Sequence, residues 1–384
     1  MRFHYISPST LPSRAANSVH VVWQCEGLCR AGAEVSLYAK RAMADAGQLR
    51  AALRDAYGVD HAALHLDTVH SDSSRGDNLR IARHAVAAVR RAGRGEPILS
   101  RNLYAAFVLA VLYRTPLLFE THQLETGLRK RMQQAVMRSP WVTTIAISDH
   151  LVDCLAQHHG VAPRRSIVLH DAAPAGIQPV PAAQRRTRLA ALAPQAEGSW
   201  KRVCGYFGHL YPGRGIEQVE AMAAGRPDCL FLVYGGTEAD LAARRAANRL
   251  PNLHFMGHVP HPVARELMGV VDVLLMPYQE SVSIGVAGHD TARWMSPMKM
   301  FEYLGAGVPI ISSDLPVLRE VLQDGDNCLL AAPADAGDWL AALQRLDADP
   351  ELAARIGTNA HAQYERSHTW TRRAERILAA AREL

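Results

Sequence analysis

The chain has 384 residues, room for two domains of ordinary size. No run of about twenty uninterrupted apolar residues occurs, which excludes a membrane-spanning helix. The six cysteines are scattered without zinc-type pairing and read as reduced thiols of a cytoplasmic protein, and the net charge of +5 suits an anionic ligand or membrane surface with no nucleic-acid motif beside it.

The N-terminus reads as a strand and a turn, without the apolar core of a signal peptide. A strand is expected over 3–6, a helix over 17–31 ending at Gly32, and a second strand over 34–38. After a variable stretch come a helix over 77–91, a strand over 97–100, a helix over 104–113 and a strand over 116–120. That strand ends in Glu120-Thr-His-Gln-Leu-Glu125. A strand over 141–147 leads to Ser148, which caps a helix to about His159, and 166–170 closes this half. Alternation of this kind predicts a parallel sheet with helices on both faces. Ser18 reads as the cap of the first helix, and Arg14 in the loop before it is an open polar candidate.

Residues 176–199 are rich in Ala, Pro, Gln and Arg and read as a linker with one short helix. It separates a domain over 1–175 from one over 200–367. Strands are expected over 202–207, 229–234, 252–255, 272–276 and 308–312, with a short one over 327–330. The chain is helical from Ala336, and its tail over 368–384 forms a last amphipathic helix. Ligands of such sheets bind beyond the C-terminal ends of the strands. The unusual loops of the second half all fall there: 208–215, 235–237, 257–259 and 278–297.

The stretch Ser296-Pro-Met-Lys-Met-Phe-Glu-Tyr-Leu-Gly-Ala-Gly307 is the most informative. Ser296 suits an N-cap and Pro297 a first helical position, so a helix is expected to about Ala306. Lys299 and Glu302, three apart, share one face. A helix start with free N–H groups favours a phosphate, and a Glu one turn inside can accept from ribose hydroxyls. The alternative is an amphipathic helix with a solvated face. Gly208-His-Leu-Tyr-Pro-Gly-Arg-Gly215 joins a strand to a helix and lets a ligand approach the backbone. Arg214 stands where it can meet a diphosphate; the alternative is a plain turn. His122 is either a ligand-facing residue or a locally bonded structural one. The loop 283–291 offers His289 and Asp290 as polar candidates, or is a lid without direct contacts.

From Met295 to Pro316, and on through Val317-Leu-Arg-Glu320 and Asp324-Gly-Asp-Asn327, the chain resembles the donor-site signature of family 4 retaining glycosyltransferases of the GT-B fold. The resemblance implies two Rossmann-like domains facing across a cleft, with the C-terminal helix crossing back to the N-terminal domain. It implies that Glu302 binds ribose, that Arg214 and Lys299 hold the diphosphate, and that His122 lies near the transferred sugar. Gly208, His209, His258, Val259, Ser296, Met298 and Asp290 complete the expected donor site. Two departures stand out. Trp294 occupies the place of the family's first Glu, and His209 that of its loop Arg.

The resulting expectation is transfer of a sugar, with retention, from a UDP- or GDP-linked donor to a glycan, lipid-linked or small-molecule acceptor in surface glycan or glycoconjugate biosynthesis. No Asp-x-Asp metal motif stands out, so metal independence is expected, with no further cofactor. The rival readings are an epimerase or phosphorylase of the same architecture, a non-catalytic sugar-nucleotide-binding subunit, and a two-domain binding protein. The segment 127–138 carries four basic residues among apolar ones. It reads first as an ordinary surface helix, and otherwise as a peripheral contact with the anionic inner face of a membrane.

Overall fold

Apolar runs that are buried on both faces build the first sheet, as helix-covered parallel strands require. In the computed structural model, which describes residues 1–13, 15–71, 76–93, 95–283 and 290–384, the first series is β1 (Arg2–Leu11), α1 (Ala16–Arg30), β2 (Glu34–Arg41), α2 (Leu49–Tyr57), β3 (Leu64–His70) and α3 (Asp77–Ala92). It continues with β4 (Ile98–Ser100), α4 (Leu103–Phe107), β5 (Leu117–Thr121), α5 (Gly127–Arg138), β6 (Val142–Ala146), α6 (Asp149–His159) and β7 (Ser166–Val168). The strands pair in the order β3-β2-β1-β4-β5-β6-β7, all parallel.

The second series is α7 (Ala182–Leu192), β8 (Val203–Phe207), α8 (Ile216–Gly225), β9 (Leu230–Tyr234), α9 (Glu238–Ala247), β10 (Leu253–Gly257), α10 (His261–Val270), β11 (Val273–Met276), α11 (Met298–Ala306), β12 (Ile310–Ser313), β13 (Leu329–Ala331), α12 (Ala336–Ala348) and α13 (Pro350–Ser367). Its sheet runs β10-β9-β8-β11-β12-β13, again parallel. The last helix is α14 (Trp370–Arg382), which Thr369 caps by accepting from Arg372 N.

Two units result. One comprises Met1–Pro174 with His368–Leu384, the other Ala175–Ser367. Helix α14 thus returns to the first unit and packs on α1. The stretch expected as a linker carries α7, which buries Leu189 and packs on α10 inside the second unit.

Several local expectations change. Ser18 does not cap α1: Ala15 is the cap residue, and the Ser18 hydroxyl donates to Thr10 O. Ser296 does not cap α11, which begins one residue later than expected, with Pro297 as an extended cap and no side-chain cap bond. The expected helix over 104–113 is α4 followed by a π-helical turn, Val108–Leu112. The variable stretch contains α2 and β3, and α9 and α10 are also additional. By contrast, Ser148 caps α6 as read, accepting from Leu151 N. Arg14 and His289 lie outside the described residues. All six cysteines are buried free thiols. No helix among the described residues is long and apolar enough to cross a membrane.

Candidate functional site

In the second unit, the loops after β8, β9, β10 and β11 gather at the C-terminal edge of the sheet, as the strand order requires. The loop 208–215 lies hard against 277–282. A Cβ on Gly213 would come within 2.8 Å of the Ser281 carbonyl carbon, and one on Gly215 within 2.6 Å of that of Pro277. Both glycines also have positive φ, so no other residue fits without displacing the partner loop.

Arg214 and Lys299 meet beside this loop. Arg214 Nη1 donates to the Tyr278 hydroxyl at 3.1 Å, and its guanidinium lies 5.2 Å from the Tyr278 ring centroid. Lys299 Nζ lies 4.5 Å from the Tyr206 centroid and 4.4 Å from that of Tyr278. A Cβ on Gly208 would be 3.4 Å from Lys299 Nζ, so the ammonium rests against the loop backbone. Among the described residues neither cation forms an ion pair with a carboxylate, and Arg214 Nε is buried without a hydrogen-bond partner. Burial and then the Arg214 charge depress the Lys299 pKa well below the usual lysine value. The tyrosines are themselves anchored. Tyr206 donates to His209 O at 2.6 Å, and Tyr303 accepts from Phe207 N at 3.0 Å.

Helix α11 follows β11, so its N-terminus, with Ser296 buried and Met298 half-buried, lies at the same edge. Glu302 faces a different neighbour from Lys299. Its Oε1 lies 3.7 Å from His261 Nδ1 on α10, and that carboxylate raises the His261 pKa. His209 stacks on Tyr211, with centroids 4.7 Å apart. Partial desolvation, Arg214 and Lys299 all disfavour its protonation, and His258 is close enough to add to them. Val259 follows, half-buried. Asp290 Oδ1 accepts from Val282 N and Ala292 N, both at 2.9 Å, so that oxygen closes the base of its loop.

The first unit holds a buried polar network that sequence reasoning found only at His122. Glu120 Oε1 accepts from His122 Nε2 and from Arg373 Nη2, both at 2.8 Å, and lies 3.0 Å from His20 Nε2. His20 Nδ1 lies 2.9 Å from Asp171 Oδ1. Arg101 Nη2 lies 3.2 Å from His122 Nδ1. Burial raises the Glu120 pKa, but Arg373, His20 and His122 outweigh it and hold the carboxyl well below its usual range. Burial and then Arg101 push His122 down to about 4. His20, Glu120 and His122 offer one ligand atom each within 4.8 Å of one another. Glu120 Oε2 is buried without a hydrogen-bond partner, but Oε1 already accepts from His122 and Arg373, and Arg373 and Arg101 bring two guanidinium charges to the spot. The donor set therefore fits a proton-bearing network better than a divalent cation. His20, Arg101, Asp171 and Arg373 left no local signal, being spread from the first helix to the last.

A family model described as glycosyl transferase-like matches residues 216–379. A phosphatidyl-myo-inositol mannosyltransferase of Mycolicibacterium smegmatis is 30% identical over 144 residues, 38% of this chain and 33% of that protein. The chain spans about a third or less of the length of the curated relatives it matches. HepE of Anabaena, solved in complex with UDP, superimposes with a TM-score of 0.73 over the whole of both chains at 15% identity. Sucrose-phosphate synthase of Thermosynechococcus elongatus gives 0.72 at 18% identity, over 100% of this chain and 98% of that one. The fold is that of GT-B glycosyltransferases. Its two Rossmann-like units and returning terminal helix are those implied by the motif over 295–316.

Proposed function

We propose that this chain is a retaining glycosyltransferase, moving a sugar from a nucleoside-diphosphate sugar to an acceptor hydroxyl in surface glycan or glycoconjugate biosynthesis. The observation that carries the reading is the pair Arg214 and Lys299. Two cations held by tyrosine rings, without a carboxylate between them, sit beside a glycine loop and a helix N-terminus. Holding such charges together in a partly buried place is costly, and a bound diphosphate offsets that cost. The same groups neutralise the charge that builds on the leaving diphosphate, so they act most strongly where the transition state needs them.

The uridine nucleotide is favoured because HepE, of the same fold, was solved with UDP and with UDP-glucose. A glycoconjugate acceptor is supported by the mannosyltransferase relative. Retention rests on the likeness of the 295–316 motif to the family 4 signature. Glu302 is assigned to ribose, His209 and His258 to the nucleotide side, and His122 to the transferred sugar. Catalysis needs no divalent ion in this reading.

Calorimetric titration with UDP, GDP, ADP and the free nucleosides tests it. The diphosphates should bind and the nucleosides should bind more weakly. A folded protein that binds no nucleoside diphosphate overturns the assignment. With an accepted donor in hand, the anomeric configuration of the product decides retention.

A further inference from the structure

The protonation of His122 can be read from its neighbours. Glu120 is ionised and so can only accept. His122 Nε2, 2.8 Å from Glu120 Oε1, therefore carries a proton. The Arg101 guanidinium can only donate, so Nδ1, 3.2 Å from Arg101 Nη2, carries none. The ring is neutral, and the lone pair on Nδ1 is the one that faces Arg101. Of this group His122 is the partly open member: its side chain is 22% exposed, against 0% for Glu120 and 2% for Arg373.

What keeps Glu120 ionised in so buried a place is chiefly Arg373. That guanidinium is itself held rigidly. Nε donates to His170 O at 2.9 Å, Nη2 to Leu169 O at 3.2 Å as well as to Glu120, and Nη1 to Gln24 Oε1. Removing the charge leaves an uncompensated buried carboxylate, which takes up a proton instead. A protonated Glu120 can donate, and the constraint on the His122 ring is lost.

We propose that Arg373, on the C-terminal helix, is a positioning residue that acts through Glu120 to hold His122 as its Nε2-protonated tautomer, leaving Nδ1 to accept a hydrogen bond from a hydroxyl of the sugar substrate. Arg101 serves Nδ1 when the site is empty. The substrate part rests on the sugar-transfer reading above; the tautomer part does not.

The test uses the full chain labelled with 15N-histidine, with His122 assigned by its loss in His122→Gln. Long-range proton–nitrogen spectra at pH 7 should show His122 neutral and protonated at Nε2. In Arg373→Gln the resonance should move to a tautomer mixture, and in Arg373→Lys it should largely return to the wild-type position. Glu120→Gln interrupts the same link at its middle and serves if Arg373→Gln does not fold. In a transfer assay, Arg373→Gln should lower kcat by up to about 100-fold, with UDP affinity unchanged and partial recovery in Arg373→Lys. A wild-type His122 that is charged or protonated at Nδ1 overturns the proposal, as does an unmoved resonance in the folded variants. A moved resonance with unchanged kcat removes the substrate part. Wild-type protein that transfers no sugar fails the functional reading instead, while the spectra still decide the tautomer.

Discussion

A methyl group on Gly27 would sit 2.7 Å from the carbonyl carbon of Trp370. Helices α1 and α14 meet backbone to backbone at this point. The same closeness sets the Trp370 ring edge-on to His20, with centroids 4.8 Å apart. Gly27→Ala should therefore lift α14 from α1. Overpacking of this kind costs about 1–3 kcal/mol, read as a lower urea midpoint. A midpoint at the wild-type value would mean that α14 is not seated there.

Arg214→Ala and Lys299→Ala should each weaken UDP binding far more than uridine binding. A charge-assisted hydrogen bond is worth roughly 1.5–3 kcal/mol, and only the diphosphate can receive it. The Lys299 change should cost little stability, since burial already holds that ammonium below its usual pKa. Calorimetry of each variant with both ligands checks this. Equal losses for the two ligands would remove the diphosphate from these residues.

Most elements were legible because their signals are local. Ser148 caps its helix, Gly307 ends α11 in the left-handed region, and apolar runs mark the central strands. The element β3 was hidden because it is an edge strand whose only buried residue is Leu64, so it lacks an apolar run. The start of α11 was misplaced because Ser-Pro suits a cap and first position in isolation, whereas Ser296 is drawn into the interior. Arg214 and Lys299 could be found from the loop and helix that carry them. Tyr206 and Tyr278 could not, since a tyrosine near the end of a strand looks like any core aromatic. The network around Glu120 was out of reach for a stronger reason. Gln24 and Arg373 are joined only by the return of α14, which no local pattern encodes.

His261 titrates beside the Glu302 carboxylate. The Glu302 carboxylate raises the His261 pKa above 6.5, while burial and Arg265 oppose it. A histidine with a raised folded pKa contributes stability that is complete below 6.5 and is lost as pH rises through the folded value. Glu302→Gln should flatten the pH dependence of the melting temperature just above pH 6.5. It should also lose most nucleotide affinity if Glu302 holds the ribose. A variant with a flattened profile but wild-type affinity would keep the ion pair and discard the ribose contact.

Chelation offers a separate check. Glu120 Oε1 already accepts from His122 and Arg373, and two guanidinium groups stand beside the His20, Glu120 and His122 cluster. Saturating EDTA should leave sugar transfer unchanged. An absolute requirement for a divalent ion, restored by one metal only, would assign a metal role to residues read here as hydrogen-bonded.

His122 provides a pH prediction of opposite sign to that of His261. Burial, with Arg101 and His20, holds it near 4 against the pull of Glu120, while an unfolded histidine titrates at 6.5. Between these values the unfolded chain binds more protons, so stability must fall as pH falls from about 6.5 towards 4. Integrating from pH 7 to pH 5 gives a loss of about 2 kcal/mol from this one group. Stopping at pH 5 keeps clear of the carboxylates, whose own losses begin lower. Other histidines add to the total, so the comparison is with His122→Gln, which keeps a polar side chain but does not titrate. Urea midpoints of both proteins at pH 7 and pH 5 supply the four numbers. The wild type should lose more stability than the variant over this range. An equal loss would place the His122 pKa near that of an unfolded histidine and would remove the depression attributed to burial and Arg101.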